Sequence, residues 1–144
     1  MTNERLFPQE ILVEQLNAIG EGCMINHVGI EITEIGPDFL KARMPVDQRT
    51  QQPMGLLHGG ANVVLSETLG SYASNLLVDI GKFAVVGLEV NANHIRSAKN
   101  GFVYGKVTPI HIGRKTHVWN TEITNEEGKL VSVSRLTVAI IANT

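Results

Sequence analysis

From Gly59 to Val78 the sequence carries a single charged side chain, Glu67. Ala61, Val64, Leu65, Leu69, Tyr72, Leu76 and Leu77 recur there at helical spacing, and Asn62, Ser66, Ser71, Ser74 and Asn75 supply the remaining polarity. A helix of about five turns with no charged face does not belong on a surface. The spacing therefore predicts a mostly buried helix with other elements wrapped around it.

The flanking sequence supplies those elements. Pro8 to Ile19 is expected to be a short amphipathic helix, with Pro8 in the first turn and Gly20 and Gly22 ending it. Val28 to Ile35 and Phe39 to Val46 alternate around the turn signal Gly36-Pro37-Asp38, which predicts a hairpin. After the helix, Phe83 to Ile95, Phe102 to Ile112, Lys115 to Thr124 and Leu130 to Ile141 are rich in Val, Ile, Thr and aromatic residues and predict four consecutive strands. Segregated helices and strands give an α+β class with a mainly antiparallel sheet, not a parallel βαβ arrangement.

At 144 residues the length suits one domain over 1–144, with 1–25 as an N-terminal helical segment. Hydrophobic residues at 43% and charged residues at 18% fit a packed core and argue against disorder. Twelve basic against fourteen acidic residues leave a net charge of −2, which makes nucleic acid a poor partner. No apolar run reaches the roughly 18 residues of a membrane span, and the first ten residues lack the pattern of a secretory signal. A soluble, cytoplasmic protein is the expectation. Cys23 is the sole cysteine, so neither an intramolecular disulfide nor a cysteine-rich metal framework can form. The five histidines show no metal-protease spacing, and phosphate-loop, dinucleotide and serine-elbow motifs are absent.

Chemistry can come from a few places. Glu67, surrounded by uncharged neighbours, is either a glutamate at the helix edge or a carboxylate made more basic by partial desolvation, a nucleophile or general base. Ser71, one turn on, shares its face. Gly55-Leu56-Leu57-His58-Gly59-Gly60 ends where the helix begins. Amides at such a start can polarise a carbonyl as it takes on negative charge; equally, the glycines can be turn residues and His58 a packing residue. Gln51 and Gln52 offer neutral amides. His94, Arg96, Lys99, His111, Arg114 and Lys115 sit at strand ends and would hold phosphates only if they came together.

The run Gln52-Pro53-Met54-Gly55-Leu56-Leu57-His58-Gly59-Gly60, followed by Leu65-Ser66-Glu67-Thr68-Leu69-Gly70-Ser71, resembles hotdog-fold acyl-CoA thioesterases. The kinds resembled act on 4-hydroxybenzoyl-CoA, 1,4-dihydroxy-2-naphthoyl-CoA or phenylacetate-pathway thioesters, and the likeness extends from about Asn26 to Ile141. It implies a sheet wrapped around one helix and hydrolysis of an aryl or medium-chain acyl-CoA. Glu67 would be the catalytic carboxylate, and Gly59 with neighbouring amides would polarise the thioester carbonyl. Gln52 and His58 would hold the thioester and assist the departing thiolate, and Ser71 would position Glu67 or water. Gly60, Met54 and Tyr72 fall among substrate-binding positions, as do His94, Arg96 and Arg114 at the nucleotide end of CoA. The resemblance further implies no cofactor or metal, CoA entering as part of the substrate, and a homodimer with shared sites that pairs into a homotetramer. Two other functions fit the same fold: hydration or dehydration of an enoyl thioester, and a non-catalytic acyl-CoA sensor.

Overall fold

A computed structural model describes residues 4–144. In chain order the elements are α1 (Val13–Ile19), α2 (Met24–His27), β1 (Glu31–Ile35), β2 (Leu40–Pro45), α3 (Gly59–Asn75), β3 (Phe83–His94), β4 (Phe102–Ile112), β5 (Thr116–Thr124) and β6 (Leu130–Ala142). The six strands form one antiparallel sheet in the order β1-β2-β4-β5-β6-β3. α3 packs against five of the six strands. The α+β hotdog arrangement expected from the sequence is therefore the one found.

Period-two burial builds the inner face of the sheet: Val103 and Val107 on β4, His117, Trp119 and Ile123 on β5, and Leu136 and Val138 on β6. Leu65, Leu69 and Ala73 of α3 fill the space above them and are wholly buried. Apolar side chains at helical and strand periods thus meet in one core, which is why a nearly uncharged helix is stable here.

Three boundaries differ from expectation. The first helix starts at Val13, not Pro8. Phe7 stacks on Trp119 at 6.2 Å between ring centroids, and the Leu6 and Phe7 amides both donate to the Pro37 carbonyl, so the chain is tied to the sheet through a bend and a turn before it coils. Cys23 to His27, unassigned from the sequence, forms the cap and single turn of α2, and Val28 closes it rather than opening β1. α3 ends at Asn75, with Leu76 as its C-cap. Of the expected N-terminal helical segment, residues 1–3 lie outside those described.

The two edges of the sheet are treated differently. At β1, the Asn17 side chain of α1 accepts from the Ile32 amide at 2.7 Å and donates to the Ile32 carbonyl at 3.0 Å, covering the strand as another strand would. At β3, eleven of the twelve residues pair with β6 along one side, and no described strand pairs along the other. Val86 and Leu88 project from this uncovered strand, Leu88 at 63% exposure.

Candidate active site

The loop before α3 is held from both sides. The Gln52 amide donates to the Leu56 carbonyl, the Gly55 amide to Gln52, the His58 amide to Thr50 and the Leu57 amide to Ala98. Gly55, at φ +77°, makes the tight turn inside this loop. Gln52 and Gly59 thus come to line one 270 Å³ cavity with Asn62, His94 and Arg96. The Gln52 side-chain oxygen accepts from the Met54 amide, which leaves its NH2 group for a ligand.

His58 is the N-cap of α3, and its Nδ1 accepts from the Gly60 amide at 2.8 Å. In a neutral ring the proton then resides on Nε2. The Gly60 amide is consumed by this cap and is not open to a substrate, whereas the Gly59 amide has no acceptor among the described residues. One backbone donor, not two adjacent ones, is available at the helix start.

Gly59 has a second constraint. A Cβ there would lie 2.7 Å from Nε2 of His94, which packs directly over it. Nδ1 of His94 is 3.4 Å from both the Asn62 amide nitrogen and the Ser132 hydroxyl. Asn62 is buried, and its Oδ1 lacks a partner. Asn62 was legible only as a polar position three residues after Gly59, and its pairing across 32 residues with His94 was not.

Glu67 is absent from the lining of this cavity. It is half-buried and turns toward the uncovered strand, where a Cβ on Gly87 would lie 2.5 Å from its Oε1. Ser71 is also half-buried on α3, but its hydroxyl makes no hydrogen bond to Glu67. One chain therefore gathers Gln52, Gly59, His94 and Arg96 in one place and sends the carboxylate of α3 to another.

The remaining expected positions scatter. Tyr72 and Leu76 line a 640 Å³ cavity, mostly apolar, with Ile11, Leu16 and Ile19. Burial pushes the Tyr72 hydroxyl pKa up, with proximity to Cys23 adding to it. Met54 is 77% exposed and lines neither cavity. Arg96 donates to the Leu130 carbonyl beside the first cavity, whereas Arg114 follows the far end of β4. Ten residues of strand, roughly 30 Å, separate those ends, so a single chain does not assemble the basic cluster. Among the described residues no three His, Cys, Asp or Glu side chains converge as metal ligands would, and no helix is long and apolar enough to cross a membrane.

The model of the thioesterase superfamily matches residues 54–132, a span that contains α3 with Glu67 and strands β3, β4 and β5. The chain belongs to the thioesterase superfamily. It is 52% identical to the 1,4-dihydroxy-2-naphthoyl-CoA hydrolase of Escherichia coli over 94% of this chain and 99% of that protein. It is 44% identical to the proofreading thioesterase EntH of Cronobacter turicensis over 94% and 98% of the two chains. The crystal structure of a mutant thioesterase from Pseudomonas aeruginosa superposes with a TM-score of 0.93 at 46% identity, covering 96% and 99%. This thioesterase is accordingly a thioester hydrolase built on a sheet wrapped around one helix.

Proposed function

We propose that the protein hydrolyses an aryl or medium-chain acyl-CoA to the free acid and CoA, at sites shared between two subunits. The observation that carries this reading is the division described above. The helix start offers a free Gly59 amide and the Gln52 NH2 in one cavity, while Glu67 faces the bare edge strand of the same chain.

In this reading the thioester carbonyl rests against the Gly59 amide and Gln52, which strengthen their hydrogen bonds as the oxygen becomes negative; one such donor is worth about two to three powers of ten. Glu67 of the partner subunit approaches the carbonyl carbon. It either adds directly, giving an anhydride that water opens, or takes a proton from the water that adds. The C–S bond breaks, and the thiolate departs near the Nε2 proton of His58. General-base assistance contributes about two to four powers of ten. Thiolate is a good leaving group, so no cofactor is called for, and CoA enters as part of the substrate.

The edge strand β3 supports the assembly. Pairing two copies along it would cover twelve residues of open backbone and bring each α3 beside the other. Two such dimers stacking would give the homotetramer. His94 and Arg96 stand where the CoA phosphates would leave the cavity, with Arg114 contributed from elsewhere in the assembly. The apolar cavity along α3 begins at Tyr72, five residues or roughly 8 Å past Glu67. It supports an aryl acyl group, as does the named substrate of the Escherichia coli relative.

The test is CoA release, followed by free-thiol detection, from benzoyl-, 4-hydroxybenzoyl-, 1,4-dihydroxy-2-naphthoyl- and hexanoyl-CoA. Turnover falling at least about a hundredfold in Glu67→Gln, with fold and assembly intact, is the expected result. Undiminished turnover in that variant would remove the mechanism, and a preference for hexanoyl-CoA would remove the aryl assignment.

A further inference from the structure

Strand β3 changes phase as it passes Glu67. Val85 and Gly87 turn toward α3; the register with β6 then slips between Gly87 and Glu89, and beyond it Val90, Ala92 and His94 turn inward. Leu88, the extra residue of this bulge, points outward. The inward position immediately before the slip is the one without a side chain. There the nearest atoms to a would-be Cβ are all Glu67: Oε1 at 2.5 Å, the carboxyl carbon at 3.5 Å and Cγ at 3.9 Å.

We propose that Gly87 is a positioning residue for Glu67: the gap left by its missing side chain is the slot that sets the direction of the carboxylate. This rests on the assignment of Glu67 as the catalytic carboxylate. Among the described residues Glu67 accepts no hydrogen bond, so strand backbone at Gly87, not a donor, fixes where its oxygens lie. The group that a methyl at Gly87 would strike is the far end of a flexible side chain. The carboxylate would swing aside while the backbone of both elements stayed in place. Stability would change little, and the reacting oxygen would be displaced by an ångström or more, an error that costs about a hundredfold in a reaction dependent on alignment.

The experiment measures kcat and KM on benzoyl-CoA, together with melting temperature and mass in solution. It compares the wild type, Gly87→Ala, Glu67→Asp, the double variant and Glu67→Gln. Gly87→Ala is expected to lower kcat roughly thirtyfold to a hundredfold, with KM within about threefold. Aspartate is one methylene shorter and does not reach the added methyl. In the Glu67→Asp background the same alanine is therefore expected to cost less than about threefold, so that the two losses do not multiply. Gly87→Ala within twofold of wild type, or an equal loss in both backgrounds, would overturn the proposal. Melting provides an arm that needs no turnover: Gly87→Ala is expected to stay within about 2 °C of wild type, whereas a larger fall that persists when Glu67→Ala is added would show the methyl meeting something other than the carboxylate and refute the slot. Full activity in Glu67→Gln would remove the catalytic assignment and the slot together. Collapse of Glu67→Gln beside an unaffected Gly87→Ala would remove the slot alone.

Discussion

Histidine is an uncommon N-cap, because Asn, Asp and Ser reach the same amides with less side chain to fix. At position 58 the ring meets the Gly60 amide through Nδ1 and keeps its Nε2 proton for something else. His58→Asn is expected to hold the melting temperature within about 1 °C, since it still supplies a cap acceptor. His58→Ala is expected to lose about 1 kcal/mol, or roughly 2–4 °C in a calorimetric scan. A fall in turnover in His58→Asn would then report on the Nε2 proton, not on the helix. At this scale the sequence was most readable where the residues are neighbours in the chain: Gln52 and Gly59 line one cavity, and His58 between them in sequence caps the helix and lines another with Gly60. Two facts were not readable. The loss of the Gly60 amide depends on a side-chain rotamer, and the closeness of Gly87 to Glu67 depends on a strand bulge twenty residues away.

Between α3 and β5 lies a buried polar group that the site does not use. Nε1 of Trp119 donates to the Ser74 hydroxyl at 2.7 Å, and the same hydroxyl lies 2.9 Å from Nδ1 of His117. All three residues are buried. Ser74→Ala strands two polar atoms at once and is expected to cost about 2–4 kcal/mol, visible as a lower urea midpoint. Burial holds the His117 pKa below the ordinary imidazole value, with His111 adding to the effect and a backbone hydrogen bond at Gly113 opposing it. The unfolded chain therefore binds a proton first as pH falls below about 6.5. The stability contributed by the neutral ring is complete above that pH and declines as pH drops toward the lowered folded value. Urea midpoints at pH 7.5 and 5.5 should show this decline, and it should shrink in His117→Gln. Strands β4, β5 and β6 were legible because their period is close to their burial pattern, whereas α3 was legible from its lack of charge and β3 from its composition. The start of α1 and the single turn of α2 were not, because contacts from Phe7 to Trp119 and from Leu6 to Pro37 decide where the chain may coil.

Among the described residues the sheet has one guarded edge and one open one, with Asn17 on the first and no strand beyond β3 on the second. If Gln52 and Glu67 act from opposite subunits, two inactive variants should repair each other. Gln52→Ala and Glu67→Gln protomers, unfolded, mixed in equal amounts and refolded, are expected to recover about a quarter of wild-type activity. Half of the random dimers are mixed, and each mixed dimer holds one intact site of two. Activity no higher than the sum of the separate variants would place both residues in one chain's site. The order β1-β2-β4-β5-β6-β3 bears on how the protein is made as well as on how it works. β3 leaves the ribosome before three other strands, yet among the described residues its strand partner is β6, the last of the six to be made. The strand that flanks Glu67 must wait without a neighbour until β4, β5 and β6 have followed it, a non-local pairing of the slow kind. Activity therefore cannot precede the emergence of β6, and a ribosome stalled before that strand would display a helix, a partial sheet and no enzyme.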